Sequence, residues 1–299
     1  MKFGNFSGMN NSLAGGLSGQ SAVYASVNPR QWTPSTWTVR SRVTTTGTFG
    51  GGVSETAPAA LFWNAAGTTV YFSGASQQVK SYTGSNAFDL PSLTVSATSI
   101  ALKAVDGITN LTPSGMAFSA NGLNLFTIDP TLGKLYKHTL GTAFLLSSIV
   151  ATAAQENALN FATATLPRGL SFIETGGACK FMFCNSGASQ AVQVYSMNAA
   201  FDLTTCAQTS TVATPISTPQ GCCWMDNGNK MAIVSTNTLR CYVTGSPYVV
   251  PALTASSHYD TLDTSRFGLT AITDIQFDTT GTRAFLTDSA SDIITALTF

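Results

Sequence analysis

Two or three carboxylates at matched separations on neighbouring strands can hydrolyse a glycosidic bond. One protonates the leaving oxygen, and another acts as nucleophile or base. This chain has only 14 acidic residues in 299, so each can be weighed. Glu174, Asp226 and Asp278 stand in or beside Gly-containing stretches such as "DNGNK" and "DTTGTR". A short carboxylate there accepts from backbone N–H groups a few residues on, so turn formation is the expected role. Asp129 and Asp288 recur at one site after an apolar run, and Asp89 and Asp202 recur in "AFDL", so both pairs read as structural. Asp274, in "ITDIQF", is the one acid inside a run that looks like an inner strand. A lone carboxylate lacks the partner that hydrolysis needs, which argues against a glycosidase or lactonase.

Nucleophilic and metal chemistry are equally thin. The two histidines, His138 and His258, are too few for an ordinary zinc site without carboxylate support. The six cysteines all lie between 179 and 241, mostly in strand-like runs with no metal-ligand spacing, and are expected to be buried thiols. "GTFGGG" (47–52) follows no strand-to-helix pattern, so it is a loop and not a phosphate cradle. The segment around Asp260 and Asp263 is too poor in acids to suggest calcium. No enzyme activity, cofactor or metal is therefore expected. Lys2, Arg30, Arg40 and Arg42 give the first 54 residues a local positive charge. Without aromatics on a basic face they point to a solvated edge or an acidic neighbour and not to nucleic acid.

What holds these residues is a repeat. Gly67, Gly122, Gly176, Gly228 and Gly281 are spaced 55, 54, 52 and 53 residues apart. Nine residues before them stand Pro58, Pro113, Pro167, Pro219 and Ile272; four before stand Trp63, Phe118, Phe172, Trp224 and Phe277. Each glycine joins two apolar runs, as in "GMAFSANGLNLFTID" (115–129), which is a hairpin pattern. A third strand follows ("QVKSYT", "KLYKHT", "VQVYSM", "LRCYVT") with Tyr82, His138, Tyr195 and Tyr242 at one position. Then come "AFDL", "AFLL", "AFDL" and a degraded "PYVV", each leading to a fourth strand. Four antiparallel strands every 54 or so residues is the pattern of an all-β, five-bladed β-propeller. Helical periodicity is nowhere sustained, and 151–164 reads as a loop elaboration.

The fifth unit stops after its third strand, at Phe299. Aligning Ile293 with Val79 puts its missing aromatic at a virtual position 302. Trp32 aligns with Phe88, and 302 − 32 = 270 residues is five units of 54. Trp37 then falls on Leu93 and Val39 on Val95. So Trp32, Trp37 and Val39 belong to the fourth strand of the last blade, pairing with the strand that holds Ile293 and ends at Phe299. The expected domains are an extended arm, 1–31, and a propeller, 32–299.

The "PxGxxF…G…YF…V..Y…AFDL" repeats, best seen in "TPSGMAFSANGLNLF" and "VQVYSMNAAFDL", resemble those of propeller proteins in tailed-bacteriophage virions and on microbial surfaces. That resemblance implies architecture first, because propellers host many functions. Charged residues are 9% of the chain and the formal net charge is zero, an unusual surface for a free cytosolic protein. The arm is Gly/Ser/Asn-rich with apolar anchors at Phe3, Phe6, Met9, Leu13, Leu17 and Tyr24. The opening stretch has no apolar core of the kind a secretory signal needs, and no run of eighteen apolar residues suggests a membrane span. The expectation is a non-enzymatic virion structural protein on capsid or tail, assembled in the host cytoplasm. Its arm would bind other virion proteins or copies of the same chain. The alternative is a carbohydrate-binding propeller that recognises host-surface glycan.

Overall fold

The structure is a computed structural model that describes residues 37–46, 54–102, 112–150, 155–158, 166–175, 178–254 and 257–298. Its twenty strands form five antiparallel sheets of four. Blade 1 holds β2 (Ala60–Trp63), β3 (Thr69–Ser73), β4 (Val79–Gly84) and β5 (Leu93–Ile100). Blade 2 holds β6 (Gly115–Phe118), β7 (Asn124–Asp129), β8 (Lys134–Thr139) and β9 (Gln155–Ala158). Blade 3 holds β10 (Pro167–Thr175), β11 (Ala178–Asn185), β12 (Ala191–Met197) and β13 (Cys206–Ala213). Blade 4 holds β14 (Gly221–Met225), β15 (Lys230–Val234), β16 (Thr238–Val243) and β17 (His258–Asp263). Blade 5 holds β18 (Ile272–Phe277), β19 (Arg283–Asp288), β20 (Ile293–Thr298) and, from the other end of the sequence, β1 (Thr38–Thr44). The chain is a five-bladed β-propeller.

Burial runs radially. Innermost β14 and β18 are buried at every residue, because each face of the sheet lies against another blade. Outermost β1 and β13 alternate between exposed and half-buried residues. The apolar core is accordingly divided into five clusters, one in each seam between blades. The aromatics four residues before each hairpin glycine fill these seams. Trp63 meets Phe285 of blade 5 with ring centroids 5.0 Å apart, Phe118 meets Tyr71 of blade 1 at 4.6 Å, and Phe172 meets Phe126 of blade 2 at 4.7 Å.

The repeat's glycine and its "AFDL" aromatic explain each other. Phe88, Phe144 and Tyr248 are held at positive φ, with their amides donating to the carbonyls of Gly67, Gly122 and Gly228 at 2.6, 2.9 and 3.0 Å. Their rings lie flat over those glycines: a Cβ added at any of the three would stand 2.3 Å from a ring carbon. Each glycine also has φ between +69° and +80°, so conformation and space both demand it. Two residues on, Leu90, Leu146, Leu203 and Val250 turn inward and are buried. Tyr248 likewise packs on Trp224, edge to face.

Ring closure follows the count of repeats. β1 pairs antiparallel with β20, with Thr38 opposite Thr298, Val39 opposite Leu297 and Thr44 opposite Ile293. Trp37 is 3% exposed in the cluster between blades 4 and 5, Ile293 packs against the same cluster, and Val39 faces outward at 38% exposure. Trp32, Phe299 and all six arm anchors lie outside the described residues. One segment differs from the sequence reading: β9 occupies 155–158 in the stretch taken as a loop elaboration. An outermost strand carries little apolar alternation, so "QENA" offered no pattern to detect.

Candidate functional site

The five innermost strands surround the axis, each touching its neighbours, with β18 against β2. At the repeat position seven residues before each hairpin glycine stand Ala60, Gly115, Gly169, Gly221 and Asp274. At the three glycines the backbones of neighbouring blades come so close that a side chain does not fit. A Cβ at Gly115 would lie 2.5 Å from the Gly169 carbonyl carbon, and one at Gly169 would lie 2.6 Å from Gly221 Cα. A Cβ at Gly221 would lie 2.7 Å from Asp274 Oδ1. The glycines make the narrow waist possible, and Ala60 and Asp274 fill the two remaining places in it.

Asp274 is a structural clasp. Its Oδ2 accepts from Leu61 N at 2.9 Å, across the junction between the last blade and the first, and its Oδ1 accepts from Ile275 N at 2.9 Å. Full burial pushes its carboxyl well above the usual carboxylate range, with the two N–H groups opposing. Thr273 Oγ1 donates to Pro58 O at 2.6 Å, and Trp63 N donates to Gln276 Oε1 at 2.5 Å. The ring is thus closed twice, by β-pairing at the rim and by three side chains at the hub. Ser171 repeats the Gln276 contact at blade 3, accepting from Trp224 N at 3.1 Å. Ser114 and Ser73 repeat the Thr273 contact, each donating at 2.8 Å to the carbonyl of the next blade's repeat proline.

Other acids are committed in the same way. Asp129 accepts from Thr131, Leu132 and Thr112 backbone amides, and Asp288 from Thr270, Ala271, Ala290 and Ser291. Asp278 accepts from Thr282 N at 2.8 Å inside its own hairpin turn. Glu174 departs from the turn reading: its Oε1 takes the Ala120 N–H of the neighbouring blade at 2.5 Å. Sequence reasoning passed over Glu55, which is fully buried, pairs with Lys80 Nζ at 2.6 Å and accepts from Ser76 N at 2.9 Å. It does for blade 1 what Asp129 and Asp288 do for theirs, but it arrives from another strand connection. No repeat register reveals it.

Below the waist, on the side of the first hairpin turns, lies a small depression of about 40 Å³. One repeat position from every blade lines it: Phe62, Ala117, Ser171, Cys223 and Gln276. Phe118, Phe172 and Glu174 add to the wall, and Glu174 is the one carboxylate there. Burial pushes the Glu174 carboxyl up, with the Ala120 N–H opposing. Phenyl rings, one amide, the Ser119 and Ser171 hydroxyls and one carboxyl suit contact with a small amphipathic group. Acid–base hydrolysis would need a second acid.

No family model matches this chain, and no curated protein matches it in sequence.

His138 bonds Thr127 Oγ1 at 3.0 Å inside blade 2, as a satisfied core histidine. His258 opens β17, and none of the six cysteines is in a disulfide. Among the described residues no group of three His, Cys, Asp or Glu side chains could hold a metal, and no helix is long and apolar enough to cross a membrane.

Proposed function

We propose that the chain is a non-enzymatic structural protein of a virus particle of the tailed-bacteriophage kind, seated on capsid or tail. The observation that carries this reading is the use made of the carboxylates. Asp129, Asp274, Asp278, Asp288 and Glu55 are all spent on turns and blade seams, and Asp274 stands at a waist where neighbouring backbones approach too closely for added side chains. A doubly closed ring with few charges is a rigid body suited to burial among neighbours. Phe3, Phe6, Met9, Leu13, Leu17 and Tyr24 would hook the arm onto other virion proteins or copies of the same chain. Assembly would take place in the host cytoplasm. A second reading, recognition of a host-surface glycan, draws on the axial depression and its Phe62, Gln276 and Glu174 wall.

The test is to purify particles from cells producing the chain and examine them by cryo-electron microscopy. The expected map shows the propeller at a fixed copy number, with arm density crossing to a neighbouring subunit. A chain that stays entirely in the soluble fraction, free of particles, would sink the reading. Glycan binding by the isolated protein that is abolished by Gln276→Ala would favour the second.

A further inference from the structure

In blades 1 and 4 the repeat places a cation at the same site on the third strand, two residues before a tyrosine: Lys80 before Tyr82, and Arg240 before Tyr242. Blade 1 neutralises its cation internally. Lys80 Nζ lies 2.6 Å from Glu55, both side chains being fully buried. Glu55 stands twelve residues before Gly67; the residue twelve before Gly228 is Ile216, 4% exposed and apolar. Blade 4 thus keeps the cation and replaces its counter-ion by isoleucine.

Around Arg240 the polar atoms lack acceptors. Its Nε and Nη1 are shut off from solvent with no hydrogen-bond partner among the described residues, as are His258 Nδ1 and Thr261 Oγ1; Tyr242 Oη, also shut off, lies beside the guanidinium, which opposes the upward push of burial on the phenol. These four residues share one patch. Arg240 lies opposite Thr261 and Tyr242 opposite His258 across the β16–β17 pair, and the Tyr242 and His258 rings meet edge to face at 6.4 Å. Tyr242 faces Val192 and Val194 of blade 3, so the patch opens on the seam between blades 3 and 4. The intervening Leu239 and Cys241 face blade 5. Asp260 stands opposite Cys241 and so on that other face; its Oδ2 is likewise shut off with no partner among the described residues, and burial pushes its carboxyl up, with the Thr261 N–H and His258 opposing. Arg240, His258 and Thr261 are each half-buried, which leaves the patch reachable from the rim.

Buried N–H and O–H groups in native proteins are almost always paired, and leaving part of a guanidinium shut off without an acceptor is a costly exception. We propose that the seam between blades 3 and 4 binds a tetrahedral oxyanion, a phosphate or sulfate group, held by Arg240, Tyr242, Thr261 and His258. A tetrahedral oxyanion offers oxygens in several directions and can accept from donors on two strands at once. A carboxylate offers two in a single plane. This site is independent of the arm and of the axial depression.

The test is titration of the full chain with sodium phosphate and sodium sulfate at constant ionic strength, read by calorimetry and thermal unfolding. The expected result is saturable binding and a midpoint rise on the order of 3 °C near saturation. Arg240→Met abolishes both, and Tyr242→Phe, which keeps the ring, weakens binding by about 10-fold, the worth of one hydrogen bond. Methyl phosphate and methyl sulfate distinguish the source: binding as tight as the free ion points to a group carried on a larger molecule, and exclusion of the methyl points to the free ion. Equal stabilisation of wild type and Arg240→Met would mean general salt exclusion from the surface and would overturn the proposal. So would calorimetric silence together with unaltered behaviour of Tyr242→Phe.

Discussion

Replacing Gly122 by alanine tests the physical basis of the repeat. The new Cβ would sit 2.3 Å from Phe144 Cδ2, whereas ordinary contact begins near 3.4 Å, so the ring must withdraw by 1.1 Å (3.4 − 2.3). Phe144 cannot withdraw freely: its own backbone is at φ 60°, its amide is bonded to Gly122 O, its carbonyl accepts from Tyr71 Oη at 2.6 Å, and its ring packs on Phe118. Forcing extra atoms into such a site costs about 1–3 kcal/mol. Placing a side chain at φ +70° adds about 1–2 kcal/mol, for a total of about 2–5 kcal/mol. Gly245 supplies the control, because its φ is +71° but nothing lies within 4 Å of its would-be Cβ. Gly245→Ala should therefore cost only the conformational part, about 1–2 kcal/mol. Urea unfolding followed by tryptophan fluorescence reads both, as midpoint shifts at unchanged slope. In a Phe144→Ala background the clash vanishes, so the double-mutant cycle should show coupling of about 1–3 kcal/mol. If Gly122→Ala costs no more than Gly245→Ala, or if the cycle is additive, the glycine–aromatic account of the repeat is wrong.

Three further outcomes follow from the closure and the buried charges. Asp274 has a raised folded-state pKa, so the folded state holds its proton to higher pH than the unfolded chain; its contribution is full below the ordinary carboxylate value near 4 and declines as pH rises through the folded value. Asp274→Asn loses one acceptor, but its stability relative to wild type should improve from pH 4 to pH 8 in thermal unfolding; a constant difference across that range refutes the assignment. Glu55→Gln strands Lys80 at 1% exposure and should cost about 3–5 kcal/mol in urea, with Glu55→Gln/Lys80→Met recovering much of it. Trp37→Ala empties a site that is 3% exposed and should cost about 3–5 kcal/mol, with amide exchange accelerating in β20 before β7; uniform acceleration would argue against a rim clasp.

The architecture was legible because a propeller repeats its chemistry in sequence. Pro58 and its equivalents, the Trp63 series, the Gly67 series and the Phe88 series recur because each blade meets the same neighbours in the same geometry. Counting residues from Trp32 to Phe299 was enough to assign β1 to the last blade, since a closed ring admits only whole units. The candidate sites were not legible, because they lie where the repeat is broken. Glu55 and Lys80 are 25 residues apart and meet only after blade 1 folds. Asp274 looked like a lone inner-strand acid, and its partner is the Leu61 amide 213 residues away.

The sequence by itself therefore determined the number of blades, the strand order within each, and the residues that fill the seams, because these depend on local pattern and on repetition. Only the tertiary structure decided that three glycines, Ala60 and Asp274 close the waist, that the axial depression opens on one side, and that Arg240 Nε and Nη1 are shut off from solvent without a hydrogen-bond partner among the described residues. Those facts depend on how five non-identical blades approach one another around an axis. Distances between blades are set by all five at once and are written in no single stretch of chain.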